Sequence, residues 1–196
     1  MAALPQAAHD RYIETEEGLW DGDLLCSDKV TDEMLAMAYM RFKFEGLLPQ
    51  IFSEGAPSLL WFIEHFGNTT GTEVLALMRQ TKNGREMIGL SWLNSRTEVS
   101  NVFAKMETGA AFFKDYHDLK TTIQAIRLSI EFAFRYLGIE AMFGTTAEKN
   151  RGALVMARRA GFKMVGPLPH YTVWEGEPCG VWLSWMTKEL WQEIRG

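Results

Sequence analysis

The segment from Glu73 to Leu93 constrains the fold more than any other part of this sequence. Its residues follow period two over Glu73 to Thr81 and again over Arg85 to Leu93, and the two runs meet at Lys82-Asn83-Gly84. Asn-Gly supplies the positive φ angles of a tight turn, so the segment predicts a β-hairpin. A further turn is expected at Asn94 to Thr97, then a third strand within Val99 to Phe113, with Gly109 marking a bulge or a close backbone approach.

The period then changes. Leu119, Ile123, Ile126, Ile130, Ala133 and Leu137 step by three or four residues along one helical face; Asp118 can cap this helix and Gly138 closes it. A short strand over Ile139 to Thr146, a short helix over Asn150 to Ala160 with Gly161 as its C-cap, and a strand over Phe162 to Val165 follow. A last hairpin joins Tyr171–Trp174 to Val181–Thr187 through Glu175-Gly176-Glu177-Pro178, and Lys188 to Arg195 reads as a terminal helix. Upstream, Thr31 is placed to cap a helix whose buried face is Leu35, Ala38, Tyr39 and Phe42, ended by Gly46. A second helix takes Pro57 in its first turn, carries Leu60, Ile63 and His65, and stops at Gly67-Asn68. Residues 1 to about 20 show no sustained period and read as an arm or a leading strand. With no internal repeat and no linker, residues 1–196 read as a single α/β domain.

Composition narrows the function. The 196 residues carry 20 Lys and Arg against 25 Asp and Glu, a net charge of −5, and 47% are hydrophobic. That is too apolar for a disordered chain and lacks the basic excess that a nucleic acid partner demands. No stretch approaches the roughly 20 apolar residues of a membrane span, and Met1 to Glu17 lacks the pattern of a signal peptide, so a cytoplasmic protein is expected. Cys26 and Cys179 stand far apart without metal-ligand spacing, which predicts neither a disulfide nor a metal site. The 11 Met, 7 Trp and 12 Phe are an excess, gathered in Met34 to Phe66 and Tyr171 to Trp191.

The segment Asn150-Arg-Gly-Ala153-Leu-Val-Met-Ala157-Arg-Arg-Ala-Gly161-Phe162 resembles the Asn-x-x-Ala…Gly-Phe motif of the GCN5-related N-acetyltransferase (GNAT) superfamily. The order of elements over roughly 71–187 is similar as well. The resemblance implies an α/β (α+β) fold, with a central mixed and mostly antiparallel twisted sheet flanked by helices. It also implies acyl-CoA-dependent N-acyltransfer, in which an amine attacks acetyl-CoA (or another acyl-CoA) directly in a ternary complex. The strand segment Ala111, Phe112 and Phe113 would then pair with pantetheine, or Phe112 and Phe113 would be ordinary core and rim aromatics. The diphosphate would lie at the start of the long helix, at Asp118, Leu119 and Lys120, where helix-end amides attract anions. There the chain reads Lys114-Asp-Tyr-His-Asp118-Leu-Lys120, without the family's glycines, and Asp118 also reads as a plain N-cap. Asn150 matches the cofactor-contacting position and can equally cap its helix. The position at which many members place a tyrosine is Ala157, which leaves Tyr171 to protonate the departing thiolate or to be a rim tyrosine. Glu107, in the middle of the third strand, is the candidate general base, ahead of Glu73 and Glu98. His117 and His170 are further candidates for the site.

A second expectation is a GNAT-like protein of phage or prophage type that binds or assembles rather than catalyses, with its Met- and aromatic-rich surface buried in a homodimer or by a protein partner. A third is a domain that binds a small molecule without transferring anything. The segments Thr31 to Asn68 and Pro167 to Gly180 would flank the acceptor. They lack clustered carboxylates, which favours a hydrophobic small-molecule amine or a peptide amine as acceptor.

Overall fold

The computed structural model describes residues 11–52, 55–67, 71–100 and 103–195. The strands are β1 (Ile13–Thr15), β2 (Gly18–Asp21), β3 (Leu24–Ser27), β4 (Glu73–Thr81), β5 (Gly84–Ser100), β6 (Phe103–Phe112), β7 (Ala141–Ala147), β8 (Lys163–Trp174) and β9 (Glu177–Thr187). The helices are α1 (Asp32–Phe44), α2 (Leu48–Ile51), α3 (Leu59–Gly67), α4 (Leu119–Tyr136), α5 (Arg151–Ala160) and α6 (Lys188–Ile194). The strands form one sheet in the order β1-β2-β3-β4-β5-β6-β7-β9-β8. Every neighbouring pair is antiparallel except β6 and β7. That pair is parallel because α4 intervenes, and a crossover helix returns the chain to the same end of the sheet. Among the described residues no helix is long and apolar enough to cross a membrane.

Two layers of helix hold the sheet between them. On one face α4 packs Ala125, Leu128, Phe132 and Ala133 into a core with Leu75, Leu77, Met106, Phe112, Met142 and Met186. On the other, Leu35, Phe42, Phe62 and Phe66 of α1 and α3 cover Leu90, Ala111 and Phe113. Side chains alternate across a strand, so Met106 and Phe112 serve the first core while Ala111 serves the second. One buried charge ties the end of the chain to α4. Glu131 is 1% exposed; its carboxylate accepts from Arg135 Nε at 2.5 Å and Arg195 Nη1 at 2.7 Å, and also from the indole N–H of Trp191. Removing either cation would leave a buried carboxylate short of partners, so the group acts as a unit.

The expected hairpin is β4–β5, and α1 buries Leu35, Ala38, Tyr39 and Phe42, with Thr31 Oγ1 accepting from Met34 N. Several boundaries differ. Residues 94–97 do not turn; β5 runs on to Ser100, paired with β6 through register shifts between Asn94 and Thr97 and between Glu98 and Ser100. The polar run that reads as a turn is a bulged strand, because pairing to β6 supplies the backbone partners that the side chains do not advertise. Phe162–Val165 and Tyr171–Trp174 are likewise parts of the one strand β8, bridged by irregular register over Leu168. The leading segment contributes β1 and β2 to the sheet edge from Ile13 onward, while residues 1–10 lie outside the described ones. In α3 the buried residues are Phe62 and Phe66, with Leu60 exposed, and α2 is an additional short helix begun at Leu48-Pro49. Asn68, at the expected end of α3, lies outside the described residues. In α4 the buried stripe includes Thr122 and Ser129, whose hydroxyls donate to Asp118 O and Ile126 O, so small polar residues pass for apolar ones there. The Met and aromatic excess fills these cores only in part, for Met37, Met40 and Phe44 of α1 are exposed.

Asp118 caps α4, its Oδ1 accepting from Thr121 N at 2.8 Å. The backbone hydrogen bond to Thr121 lowers the pKa of Asp118 below the ordinary carboxylate value. Folding therefore favours the ionised form; the cap's contribution is complete above the unfolded pKa of about 3.9 and is lost as pH falls through the lowered folded value. Asp118→Ala is expected to cost about 1 kcal/mol in urea unfolding at pH 7, whereas Asp118→Asn keeps the cap with less loss and removes this acid dependence.

Candidate active site

The parallel ladder between β6 and β7 is short. Lys105 pairs Ala141, Met106 pairs Met142 and Glu107 pairs Phe143, and there it stops. Beyond that rung β6 stays on β5 as far as the Gly89–Phe112 pair, and β7 stays on β9 as far as the Ala147–Val181 pair. The sheet thus opens like a wedge between two strands that remain fully paired on their outer sides. Gly144 sits at the throat of the wedge, where a Cβ would lie 2.8 Å from Thr108 O.

A cleft of about 860 Å³ occupies the wedge. One wall is the strand segment 108–112 and the other is 144–147. In a strand, N–H and C=O of one residue point to the same side and alternate along the chain. Ala104 O accepts from Glu140 N on the β7 side, so the backbone groups of Thr108, Ala110 and Phe112 also face β7, and past Glu107 that strand no longer pairs with them. A polar edge of this kind needs partners from water or a ligand. The Phe112 carbonyl already has one, accepting from His117 Nε2 at 2.8 Å. The floor comes from the first half of α4, including Leu119, Thr122 and Ile126, and from the first turn of α5, Asn150 to Ala153. Tyr171 to Trp174 of β8 and Pro49 to Ile51 of α2 close the rim.

The cleft gathers Ala111, Phe112, Leu119, Asn150 and Tyr171, which come from three separate elements and the residue that caps α5. Tyr171 is 64% exposed on the rim. Asn150 Oδ1 accepts from Ala153 N at 3.2 Å, so it caps α5 while facing the cleft. Glu107 stands on the last β6–β7 rung, half-buried, one residue before the cleft wall begins. Phe113 does not line the cleft. Its ring packs on Phe42 at 5.0 Å under the guanidinium of Arg41, and its N–H goes to Ile88 O at 3.0 Å, so it is core. Asp118 and Lys120 are exposed and do not line the cleft either, since Asp118 is turned into its capping bond. Asp115 is paired with Arg41 at 2.7 Å. Glu73 is exposed at the start of β4, His170 is exposed outside the cleft, and the side chain of Glu98 lies outside the described residues.

Sequence reasoning missed Arg151, exposed beside Asn150 in the cleft lining, and Trp92. Trp92 is the close approach expected at Gly109: a Cβ there would lie 2.4 to 2.6 Å from the indole. Period-two reading of β5 places Trp92 on a face without saying which residue lies opposite it.

The family model described as acetyltransferase (GNAT) domain matches residues 31–163. No curated protein sequence matches the chain. Among solved structures, spermidine N-acetyltransferase from Vibrio cholerae in complex with CoA and spermine superposes with a TM-score of 0.70, at 14% identity over 87% of this chain and 98% of that one. RimL, a ribosomal L7/L12 α-N-protein acetyltransferase in complex with CoA, gives 0.68, at 14% identity over 85% and 94%. A GNAT-family acetyltransferase from Bacillus anthracis gives 0.67, at 13% identity over 91% and 99%. At such identities the likeness speaks for the fold: a mixed α/β architecture with a mostly antiparallel sheet between helices.

The Gly109 contact is directly testable. Gly109→Ala must push the Trp92 ring aside and is expected to cost about 1–3 kcal/mol in denaturant unfolding, part of which Trp92→Leu in the same chain restores.

Proposed function

The chain belongs to the GNAT acetyltransferase family, and from that premise we propose that it transfers an acyl group, acetyl in the first instance, from acyl-CoA to the nitrogen of an amine. The observation that carries this reading is the wedge after the Glu107–Phe143 rung, with its open backbone edge and its cleft of about 860 Å³. An extended chain bearing amides can complete that edge at Thr108 and Ala110, as a further strand would. The residues present fit a CoA thioester. The edge suits the pantetheine amides, Asn150 stands in the opposite wall, and Arg151 offers an exposed cation toward phosphate. Neither acidic residue near α4 opposes an anion freely, Asp115 being paired with Arg41 and Asp118 committed to its cap.

Acetyl-CoA supplies a thioester carbonyl that an amine attacks without further activation. This chain's residues then have two proton tasks. Glu107 accepts a proton from the acceptor nitrogen, since only the neutral amine has the free electron pair that forms the new C–N bond. As that bond forms the C–S bond breaks and its electron pair leaves on sulfur. The nitrogen sheds its second proton to water as the amide forms; Tyr171, on the rim, donates a proton to the sulfur, and a thiol of pKa about 8.5 is also a tolerable leaving group without help.

Titration with acetyl-CoA is expected to raise the melting temperature, by about 2.7 kcal/mol of added stability at a hundredfold excess over Kd; no shift at millimolar acetyl-CoA would overturn the reading. Glu107→Gln is expected to lower turnover by about a hundredfold or more while leaving acetyl-CoA affinity as it was. Turnover equal to that of the unsubstituted protein would remove Glu107 as the base.

A further inference from the structure

Five strands place one residue each on a single row at the closed end of the wedge, along its last rung. Asn94 pairs Glu107, Glu107 pairs Phe143, Phe143 pairs Trp185 and Trp185 pairs Lys163. Directly paired residues share a sheet face, so all five lie on the side opposite α4, whose core takes the alternating residues Met106, Met142 and Met186. Within this row Asn94 is anomalous. Its Oδ1 is buried without any hydrogen-bond partner, and the amide has none among the described residues. A buried carbonyl oxygen left in this state costs stability, and folded proteins rarely carry one without a use. Its paired neighbour Glu107 is a second acceptor group with no donor among the described residues. Asn94 as a whole is partly exposed, and with no bond holding the amide in either sense, rotation about its last torsion turns the oxygen outward.

Two adjacent acceptors without a donor call for a group rich in N–H. Beside them lie aromatic surfaces: Phe143 is partly exposed and Trp185 is 41% exposed. The Phe143 ring already meets a cation, since Lys105 Nζ lies 5.6 Å from its centroid. We propose that Asn94 positions the acceptor: its side-chain oxygen and the Glu107 carboxylate together receive the nitrogen of a primary amine, and Phe143 and Trp185 contact the apolar body attached to it. The substrate class is a primary amine next to an apolar or aromatic group. This inference rests on the acyltransfer reading above.

The test keeps the two apart. Acetyl-CoA affinity is measured by calorimetry for the unsubstituted protein and for Asn94→Leu, and thiol release is followed with two acceptors, 2-phenylethylamine and a tetrapeptide amide with a free N-terminal phenylalanine. Asn94→Leu is expected to leave the acetyl-CoA Kd unchanged and to raise KM for the accepted amine about tenfold to a hundredfold. Its melting temperature without ligand is expected to stay level or rise, because the substitution removes an unpaired buried acceptor. Asn94→Asp, which retains an acceptor oxygen, is expected to recover most of the KM. If acetyl-CoA binds but neither amine is acetylated, or Asn94→Leu leaves KM unchanged, or Asn94→Leu lowers the melting temperature and Asn94→Asp does not recover KM, the acceptor assignment is overturned while acyl-CoA binding stands. Failure of acetyl-CoA to bind the unsubstituted protein overturns acyltransfer, and the acceptor assignment with it.

Discussion

Everything that makes this sheet more than a scaffold depends on one parallel pairing that is cut short. β6 and β7 share three rungs and then separate, although each continues for several residues along its other neighbour. Both strands keep their outer hydrogen bonds, so the separation exposes one edge from each strand instead of unravelling either. The cleft follows from that geometry, as do its backbone-lined wall and the position of Glu107 on the last closed rung. α4 and α5 lie under the opening and fill it from one face, and their first turns bring Leu119, Thr122 and Asn150 to its floor.

The cost of holding such an opening is met elsewhere in the fold. The core between α4 and the sheet is continuous on both sides of the wedge, with Met106 and Phe112 from β6 and Met142 from β7 in one cluster. Glu131 binds α4 to the terminal helix through Arg195 and Trp191, which steadies the β7–β9 half from behind. Close contacts mark the seam. Gly144 has no room for a Cβ beside Thr108, and Gly109 has none beside Trp92.

Legibility in the sequence tracked the range of the interaction. The Asn-Gly hairpin, the caps at Thr31, Asp118 and Asn150, and the stripe of α1 depend on neighbours a few residues away, and each is present as expected. The turn expected at 94–97 is absent because a bulged strand and a turn share the same polar residues, and pairing with β6 decides between them. Phe113 reads as the end of a strand edge, yet it follows the bend of the chain into the α1 core, a choice made by Phe42 and Arg41 some seventy positions earlier. Asn94 reads only as the start of the expected turn, since its pairing with Glu107 and the lack of a donor for its oxygen among the described residues are visible only across strands.

What the sequence by itself determined is therefore the local half of the protein: a hairpin set by Asn-Gly, helices bounded by their caps, an acidic and apolar composition, and the Asn150-to-Phe162 segment that carries the family resemblance. Each follows from dihedral preferences, capping or periodicity, which act along the chain. Only the tertiary structure decided where β6 leaves β7, which side chains share the row from Asn94 to Lys163, and that Asp118 serves its helix and does not line the cleft. Those outcomes depend on pairings between strands far apart in the chain, where register and face are settled by burial on both sides of the sheet at once.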